Sequence, residues 1–377
     1  MKMLPRASSD LGGGSVDRGL LFGIVTLALF GDLMIYSATK IALTNAGYDP
    51  AYYLKRQTMW VCIGLAVMWV VSRVDHRRFE IVATPAYLSG IAGLVGVIFF
   101  GSSALGAQRW FNVGFFQVQP SEFMVLALIM TASAYSARRP QGLVQRDVIR
   151  ILFMAGLPMA IIAVQPDLGT AIIIAVTVGI MIVIAGVPPR FMALLAVLGV
   201  IGAISAVAVG FLQKYQLSRL TSFLNQNSND PALAAAIYHV DNAKNAIGAG
   251  GLKGMGLFNG LQTNLGYVPE QRTDFIFTAI GEQLGLIGSL VFLGLLASVA
   301  YRIFVISRDA KEQFGRLLCV GIFVFFSFSS FQNIGMTMGI MPVTGIPLPL
   351  VSYGGTAALV FSAAIGMVLS VSRRRGN

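Results

Sequence analysis

Charged side chains are scarce in this 377-residue sequence: Asp, Glu, Lys and Arg make up 11% of it and hydrophobic residues 56%, against about 25% and 45–50% in a soluble domain. A water-soluble single domain is excluded. Cysteine is scarcer still, and Cys62 and Cys319 both sit inside apolar runs, which leaves no disulfide framework and no zinc site to read. They read as helix-packing residues. The sequence has two histidines, neither with a second His or Cys at metal-ligand spacing, so no dedicated metal cage can be read. A divalent cation such as Mg²⁺ or Mn²⁺, held by one carboxylate and substrate phosphates, would leave no motif and stays open as a cofactor. Also missing are a Ser-His-Asp arrangement, a nucleophile elbow, a Walker A sequence and any internal repeat or low-complexity block. The formal charge of +11 raises the question of nucleic acid, but the basic residues lie in short loops between apolar runs, as membrane anchoring demands. Nucleic acid is not an expected partner.

What the sequence has in quantity is long apolar runs. Ten approach the roughly 20 residues that a helix needs to cross hydrocarbon: 19–39, 57–73, 83–100, 120–137, 150–164, 169–187, 191–212, 275–301, 317–339 and 352–371. The chain therefore reads as an all-α polytopic membrane protein. A single ten-helix membrane domain, 19–371, lies between tails at 1–18 and 372–377. With the N-terminus inside the cell, 18 of the 27 Lys and Arg residues fall in inner segments and the rest are diluted over longer outer loops. The positive-inside bias then puts both termini in the cytoplasm. No small-residue cleavage signature follows the first apolar run, so it reads as an uncleaved helix. The one long connection, about 213–274, falls outside. Its apolar residues, Tyr238, His239 and glycines predict that it is ordered rather than a loose linker.

Polar chemistry interrupts this pattern at few places. Five glycines surround Lys253 in Gly248-Ala-Gly-Gly-Leu-Lys-Gly-Met-Gly256, and Lys244 lies just upstream. Glycine lets backbone amides turn toward an anion, although tight turns without a ligand explain the cluster at least as well. On the outer side Arg109, Lys214, Arg219, Lys244, Lys253 and Arg272 meet at the level of lipid head groups. An anionic head group or a lipid-linked diphosphate is the ligand that fits. Asp274 stands where the eighth run begins; it can cap free amides there, worth about 1 kcal/mol, or serve as a general base whose pKa is raised by partial desolvation.

Three further carboxylates sit in apolar surroundings: Glu122, Asp167 and Glu282. Carboxylates at membrane depth are costly and usually functional. Glu122 and Asp167 each follow a proline near a helix start, so capping of the fourth and sixth helices stands beside a polar cavity as an explanation. For Glu282 an interior polar contact is expected. Asp32, within the first run, fits packing, a proton site or an arginine partner, and the sequence does not choose.

Together Gly106-Ala-Gln-Arg-Trp110, Gln119-Pro-Ser-Glu122, Gln165-Pro-Asp-Leu-Gly-Thr170, Pro269-Glu-Gln-Arg-Thr-Asp-Phe275 and Pro347-Leu-Pro-Leu-Val-Ser-Tyr-Gly-Gly355 strongly resemble the SEDS family (shape, elongation, division and sporulation). The order of the five motifs is kept from the first helix to the last. Met341-Pro-Val-Thr-Gly-Ile346 and the short C-terminal tail are more similar to its elongation branch, the RodA-like proteins, than to the FtsW-like division branch. The resemblance implies a ten-helix peptidoglycan glycosyltransferase that polymerises lipid II at the outer face of the bacterial inner membrane. It also implies a class B penicillin-binding transpeptidase and other elongation-complex proteins as partners. The family's essential aspartate falls on Asp274, and Arg109, Glu122, Asp167, Lys244 and Lys253 match positions expected to matter; Arg219 and Arg272 join them as basic neighbours. Asp32, where an apolar residue is expected, and Thr356, where Ser is frequent, depart from the pattern. Two readings from other classes compete: a lipid II flippase, with Glu122, Asp167 and Glu282 along a crossing path, and a non-catalytic scaffold for a penicillin-binding protein.

Overall fold

The computed structural model describes residues 16–374 apart from 105, 106, 115, 140, 188, 189, 192, 194–196, 198, 200–213, 227–229, 231 and 232. Its helices are α1 (Arg18–Asn45), α2 (Tyr52–Arg73), α3 (His76–Phe100), α4 (Pro120–Ala137), α5 (Gln145–Val164), α6 (Leu168–Ile184), α7 (Lys214–Leu224), α8 (Ala234–Ala249), α9 (Leu261–Asn264), α10 (Ile276–Asp309), α11 (Gln313–Thr337) and α12 (Gly355–Ser372). Seven of them, α1, α2, α3, α5, α10, α11 and α12, are long and apolar enough to cross a membrane. The 17-residue α6 is apolar but shorter, and α4 has 18 residues. The seventh expected span, 191–212, lies mainly outside the described residues.

Several of these helices start at short polar side chains or a proline that deal with free amides. Asp17 accepts from the Leu20 amide at 2.8 Å, Asp75 from that of Arg77 at 3.1 Å, and Pro120 opens α4. The helix α4 packs against α3, α11 and α6, and α12 packs along α2. Of its 18 residues 14 are buried, because it runs through the middle of the bundle. Phe325 of α11 and Phe361 of α12 stack with ring centroids 4.5 Å apart beside it.

Two features depart from the sequence reading. The fold is not purely α-helical: β1 (Ser102–Ala104), β2 (Ala107–Val113) and β3 (Phe116–Val118) form an antiparallel sheet in that order, with Asn112 opposite Gln117 and Ser103 opposite Gln108. This connection is too polar to continue α3, and pairing with its own strands satisfies its backbone. Second, α10 runs eight residues past the expected end at 301 but is broken near its start at Gly285, whose φ is 66° and ψ −166°.

That break explains the glycine cluster. A helix interrupted at depth leaves amides and carbonyls without partners, and the segment after α8 supplies them. Leu286 N–H donates to the Gly251 carbonyl at 2.9 Å, Ile287 N–H to Leu252 at 3.1 Å, and the Met255 and Gly256 amides donate to the Glu282 and Gln283 carbonyls at 3.0 Å each. A Cβ on Gly285 would lie 2.2 Å from the Gly254 nitrogen, and one on Gly254 2.2 Å from the Gln283 oxygen. The glycines are there so that two backbones can touch. Glu282, fully buried, then accepts from the amides of Gln262 and Thr263 at 2.6 and 3.0 Å and from the Thr263 hydroxyl at 2.6 Å. This is the interior polar contact that its position predicts.

Candidate functional site

Beneath this clasp the loop 265–275 turns sharply back into α10. Glu270 adopts a left-handed φ of 48°, and its carbonyl accepts from the amides of Thr273, Asp274 and Phe275 at 3.2, 3.1 and 3.3 Å. The residue at the helix N-cap is Phe275, without any side-chain cap. Asp274 is thus not the cap of α10, and its carboxyl is left for something else.

Three segments hold Asp274 in place. Asn333 of α11, fully buried, donates through Nδ2 to the carbonyls of Asp274 at 2.9 Å and Ile346 at 2.7 Å. Next to it Gln332 donates to the Pro342 carbonyl at 2.9 Å and the Thr344 hydroxyl at 3.1 Å. Gly345, with φ 75°, passes so close that a Cβ would stand 3.3 Å from Asp274 Oδ2. From the last motif, the Tyr353 amide donates to the Arg272 carbonyl at 2.9 Å and the Ser352 hydroxyl to that of Thr273. The motifs at 341–346 and 347–355 are therefore the bed on which the Asp274 loop lies.

Asp274 faces a cavity of about 910 Å³ whose wall also carries Arg56, Arg109, Arg219, Arg272, Glu122 and Asp167. Its open side is this cavity and the rest is enclosed by protein, so burial dominates its titration. The carboxyl is pushed up to about 6 by burial, against the pull of Arg219, with a further push from Glu270 and smaller pulls from Arg109 and the Thr273 hydrogen bond. Arg109, on β2, is fixed by donating from Nε to the Gln165 carbonyl at 3.0 Å and from a terminal nitrogen to that of Pro166, with Asp167 3.9 Å away. Arg219, on α7, donates to the Val343 carbonyl at 3.3 Å. Arg272 stands 3.6 Å from the Glu270 carboxylate.

The deeper carboxylates divide. Asp167 caps α6, accepting from the Thr170 amide and hydroxyl at 3.3 and 2.8 Å and from Gln119 and Ser121 at 3.0 and 3.1 Å; it both caps and lines the cavity. Glu122 lines the cavity with a buried Oε2 that has no hydrogen-bond partner among the described residues. Apolar Val125, Ile173, Phe325 and Phe361 also line the wall, a surface against which a hydrocarbon chain packs favourably.

Of the residues singled out in the sequence, Arg109, Glu122, Asp167, Arg219, Arg272 and Asp274 come together here, whereas Lys244 and Lys253 do not. Lys253 is exposed at the clasp, because its glycines are engaged with α10. Lys244 bonds Gln226 at 2.5 Å and lies 3.8 Å from Asp241. Among the described residues no group of three or more His, Cys, Asp or Glu side chains is placed to hold a metal. The sequence reading missed Arg56, Asn333 and Ser352. A pair of amides inside the apolar run of α11 was a usable signal, because buried amides need partners.

Comparison with known proteins comes from three directions. The pattern of a family described as FTSW_RODA_SPOVE, cell cycle protein, matches residues 18–377. The chain is 34% identical over 345 residues, 91% of each protein, to peptidoglycan glycosyltransferase MrdB of Escherichia coli. It is 35% identical over 366 residues, 94% of this chain and 93% of the other, to a probable peptidoglycan glycosyltransferase FtsW of Trichlorobacter lovleyi. Among solved structures, one described as "Structural coordination of polymerization and crosslinking by a peptidoglycan synthase complex" superposes with TM-score 0.79 at 27% identity, covering 96% of this chain and 98% of that one. A mutant of the rod shape determining protein RodA from Thermus thermophilus gives TM-score 0.70 at 26% identity, covering 96% and 99%.

Proposed function

The chain belongs to the FTSW_RODA_SPOVE family of cell cycle proteins, and from that premise we propose that it is a peptidoglycan glycosyltransferase in which Asp274 is the general base. The observation that carries this is one carboxyl, lifted to about 6 by burial, facing a cavity walled by four arginines. Glycosyl transfer from a lipid diphosphate needs that inventory. The leaving group departs as an anion, so it needs fixed positive charge and not an acid, in contrast to glycoside hydrolysis with its two opposed carboxylates.

The reaction is an inverting displacement at the anomeric carbon. Asp274 takes the proton of the 4-hydroxyl of the GlcNAc on the acceptor lipid II. The freed oxygen attacks the anomeric carbon of the donor MurNAc with inversion, the C–O bond between the sugars forms, and the bond from that carbon to the diphosphate breaks. Undecaprenyl diphosphate leaves with the electron pair. Arg109 and Arg219, which pull the carboxyl down, are partly neutralised when the donor diphosphate arrives. Substrate binding thus makes the base more basic at the moment it is needed. A divalent cation remains part of this reading only as one carried by the substrate phosphates.

The same reading gives the chain ten membrane spans with both termini in the cytoplasm of a bacterial inner membrane, a role in elongation, and a class B penicillin-binding transpeptidase as partner. Support for the partner is the synthase complex whose structure this chain resembles; support for elongation is the Met341–Ile346 motif. The test is purified protein, alone and with that transpeptidase, given fluorescent lipid II. Glycan polymer from the wild type and its loss in Asp274→Asn is the expected result. Movement of lipid across liposomes without polymer would make the protein a flippase, and neither activity would leave it a scaffold.

A further inference from the structure

Two substrates meet in this reaction and each carries a diphosphate, so a cavity with only one anion site would leave the second charge uncompensated. The arginines of the wall fall into two groups held by different elements. Arg109 and Arg219 are anchored on backbone carbonyls of the 165–166 and 343 segments, and both act on the charge of Asp274. Arg56 and Arg272 are anchored on tyrosine rings. Arg56 lies over the Tyr52 ring at 4.7 Å and bonds the side chain of Tyr353; Arg272 lies over the Tyr53 ring at 4.7 Å. The rings brace one another, Tyr52 against Tyr53 at 5.1 Å and Tyr53 against Tyr353 at 5.2 Å, both edge to face.

Stacking uses the face of a guanidinium and not its N–H edge, the part that matches a phosphate; that edge is shared with the Tyr353 side chain in Arg56 and with the Glu270 carboxylate, 3.6 Å away, in Arg272. The chemistry of the step assigns the two groups. The departing diphosphate is bonded to the carbon under attack, which lies about 3–3.5 Å from the nucleophilic oxygen, so it must sit beside the base. The diphosphate of the acceptor is separated from its reacting hydroxyl by a whole disaccharide, so it must sit away from the base.

We propose that Arg56 and Arg272, braced by Tyr52, Tyr53 and Tyr353, bind the diphosphate of the acceptor lipid, while Arg109 and Arg219 serve the diphosphate that leaves. This rests on the glycosyltransferase reading above. It gives the cavity a direction: the acceptor enters along α2, and the growing strand departs past β2 and α7.

The test is a single transfer with the purified full-length chain in complex with its transpeptidase partner. The donor is lipid II epimerised at C4 of its GlcNAc, which can donate but not accept. Two acceptors are compared, lipid II itself and the same disaccharide peptide on a neutral lipid glycoside without diphosphate. Wild type should prefer the diphosphate acceptor at least tenfold in kcat/KM. Arg56→Ala and Arg272→Ala should erase that preference through KM, and Arg56→Lys should restore part of it. Arg109→Ala should slow both acceptors by the same factor through kcat. A preference kept by folded Arg56→Ala and Arg272→Ala, or erased by Arg109→Ala instead, overturns the assignment. No product from wild type with either acceptor would remove the glycosyltransferase reading itself, a different outcome from a preserved preference.

Discussion

The two ends of the α2 helix meet carboxylates in opposite circumstances. At its C-terminal end, where α2 turns into α3, Glu312 accepts from Arg77 Nε at 2.8 Å and from His76 Nε2 at 2.9 Å, and Asp75 is paired with Arg374 at 2.7 Å. The hydrogen bond from Arg77 is the largest reason that the Glu312 carboxyl lies below the usual carboxylate range. At its N-terminal end, beside Arg56, the cavity holds Asp274 with its carboxyl lifted by burial, and the pull of Arg219 and Arg109 does not bring it back into the usual carboxylate range. Charge that has found a partner ties the ends of helices together. A carboxyl that burial lifts more than its neighbouring cations lower it is poised for chemistry.

Replacing the buried carboxyl separates these circumstances most widely. Asp274→Asn should reduce glycan polymerisation by roughly 10²–10⁴-fold. The folded state raises this carboxyl, so it binds protons more tightly than the unfolded chain does, and the charged form costs stability once pH rises through about 6. The variant should therefore melt at the same temperature as wild type or higher at neutral pH. Lower thermal stability together with the loss would mean that the side chain holds the loop. Glu270→Gln, four residues earlier, should be the milder change, and a deeper loss there would move the base to Glu270.

Next in size is the bed of that carboxyl. Gly345→Ala places a methyl 3.3 Å from Asp274 Oδ2 at a φ of 75°, with strain of about 1–3 kcal/mol. Displacing a catalytic group by about 1 Å can cost 10²-fold, so polymerisation should fall by about that factor while lipid II still binds. Normal turnover would show that the approach is not needed.

A smaller effect lies in the pH profile. Activity should rise with pH through an acid limb near 6, where Asp274 loses its proton. Arg219 lowers that value, so Arg219→Ala should move the limb to higher pH, whatever it does to the maximum rate. A limb that moves down, or stays, would detach Arg219 from the base. Smallest of all is the paired end. Glu312→Gln should cost about 0–1 kcal/mol at neutral pH and leave polymerisation within about twofold. The contribution of Glu312 is present above the ordinary carboxylate pKa and is lost as pH falls through its depressed value, so the melting temperatures of wild type and variant should converge in acid. A gap that persists there would point to lost packing.

Legibility followed the same division. Glu122 and Asp167 stood out because each breaks an apolar pattern, and burial of charge is costly enough to need a reason; Asp274 stood out at the start of an apolar run and Arg109 as a cation on the outer side and in a family motif. Arg56 did not, since Lys55 and Arg56 at a helix start look like anchors at a membrane surface. Lys244 and Lys253 were drawn toward the cavity by the glycines around them, but a glycine cluster tells only that backbones come close, not whether a phosphate or another backbone is what approaches. The strands 102–118 were hidden because three to seven residues are too few for periodicity to register. Asn333 was hidden by its apolar neighbours.

That asparagine has a mechanical consequence. One amide grips the carbonyls of Asp274 and Ile346 together, so the reactive carboxyl and its floor share a single reference point on α11. Bilayers differ in thickness, and helices respond by tilting and sliding at a modest cost. Any shift of α11 carries both pieces along, like a lens and its aperture fixed in one mount, and the spacing between them holds while the surrounding helices follow the lipid.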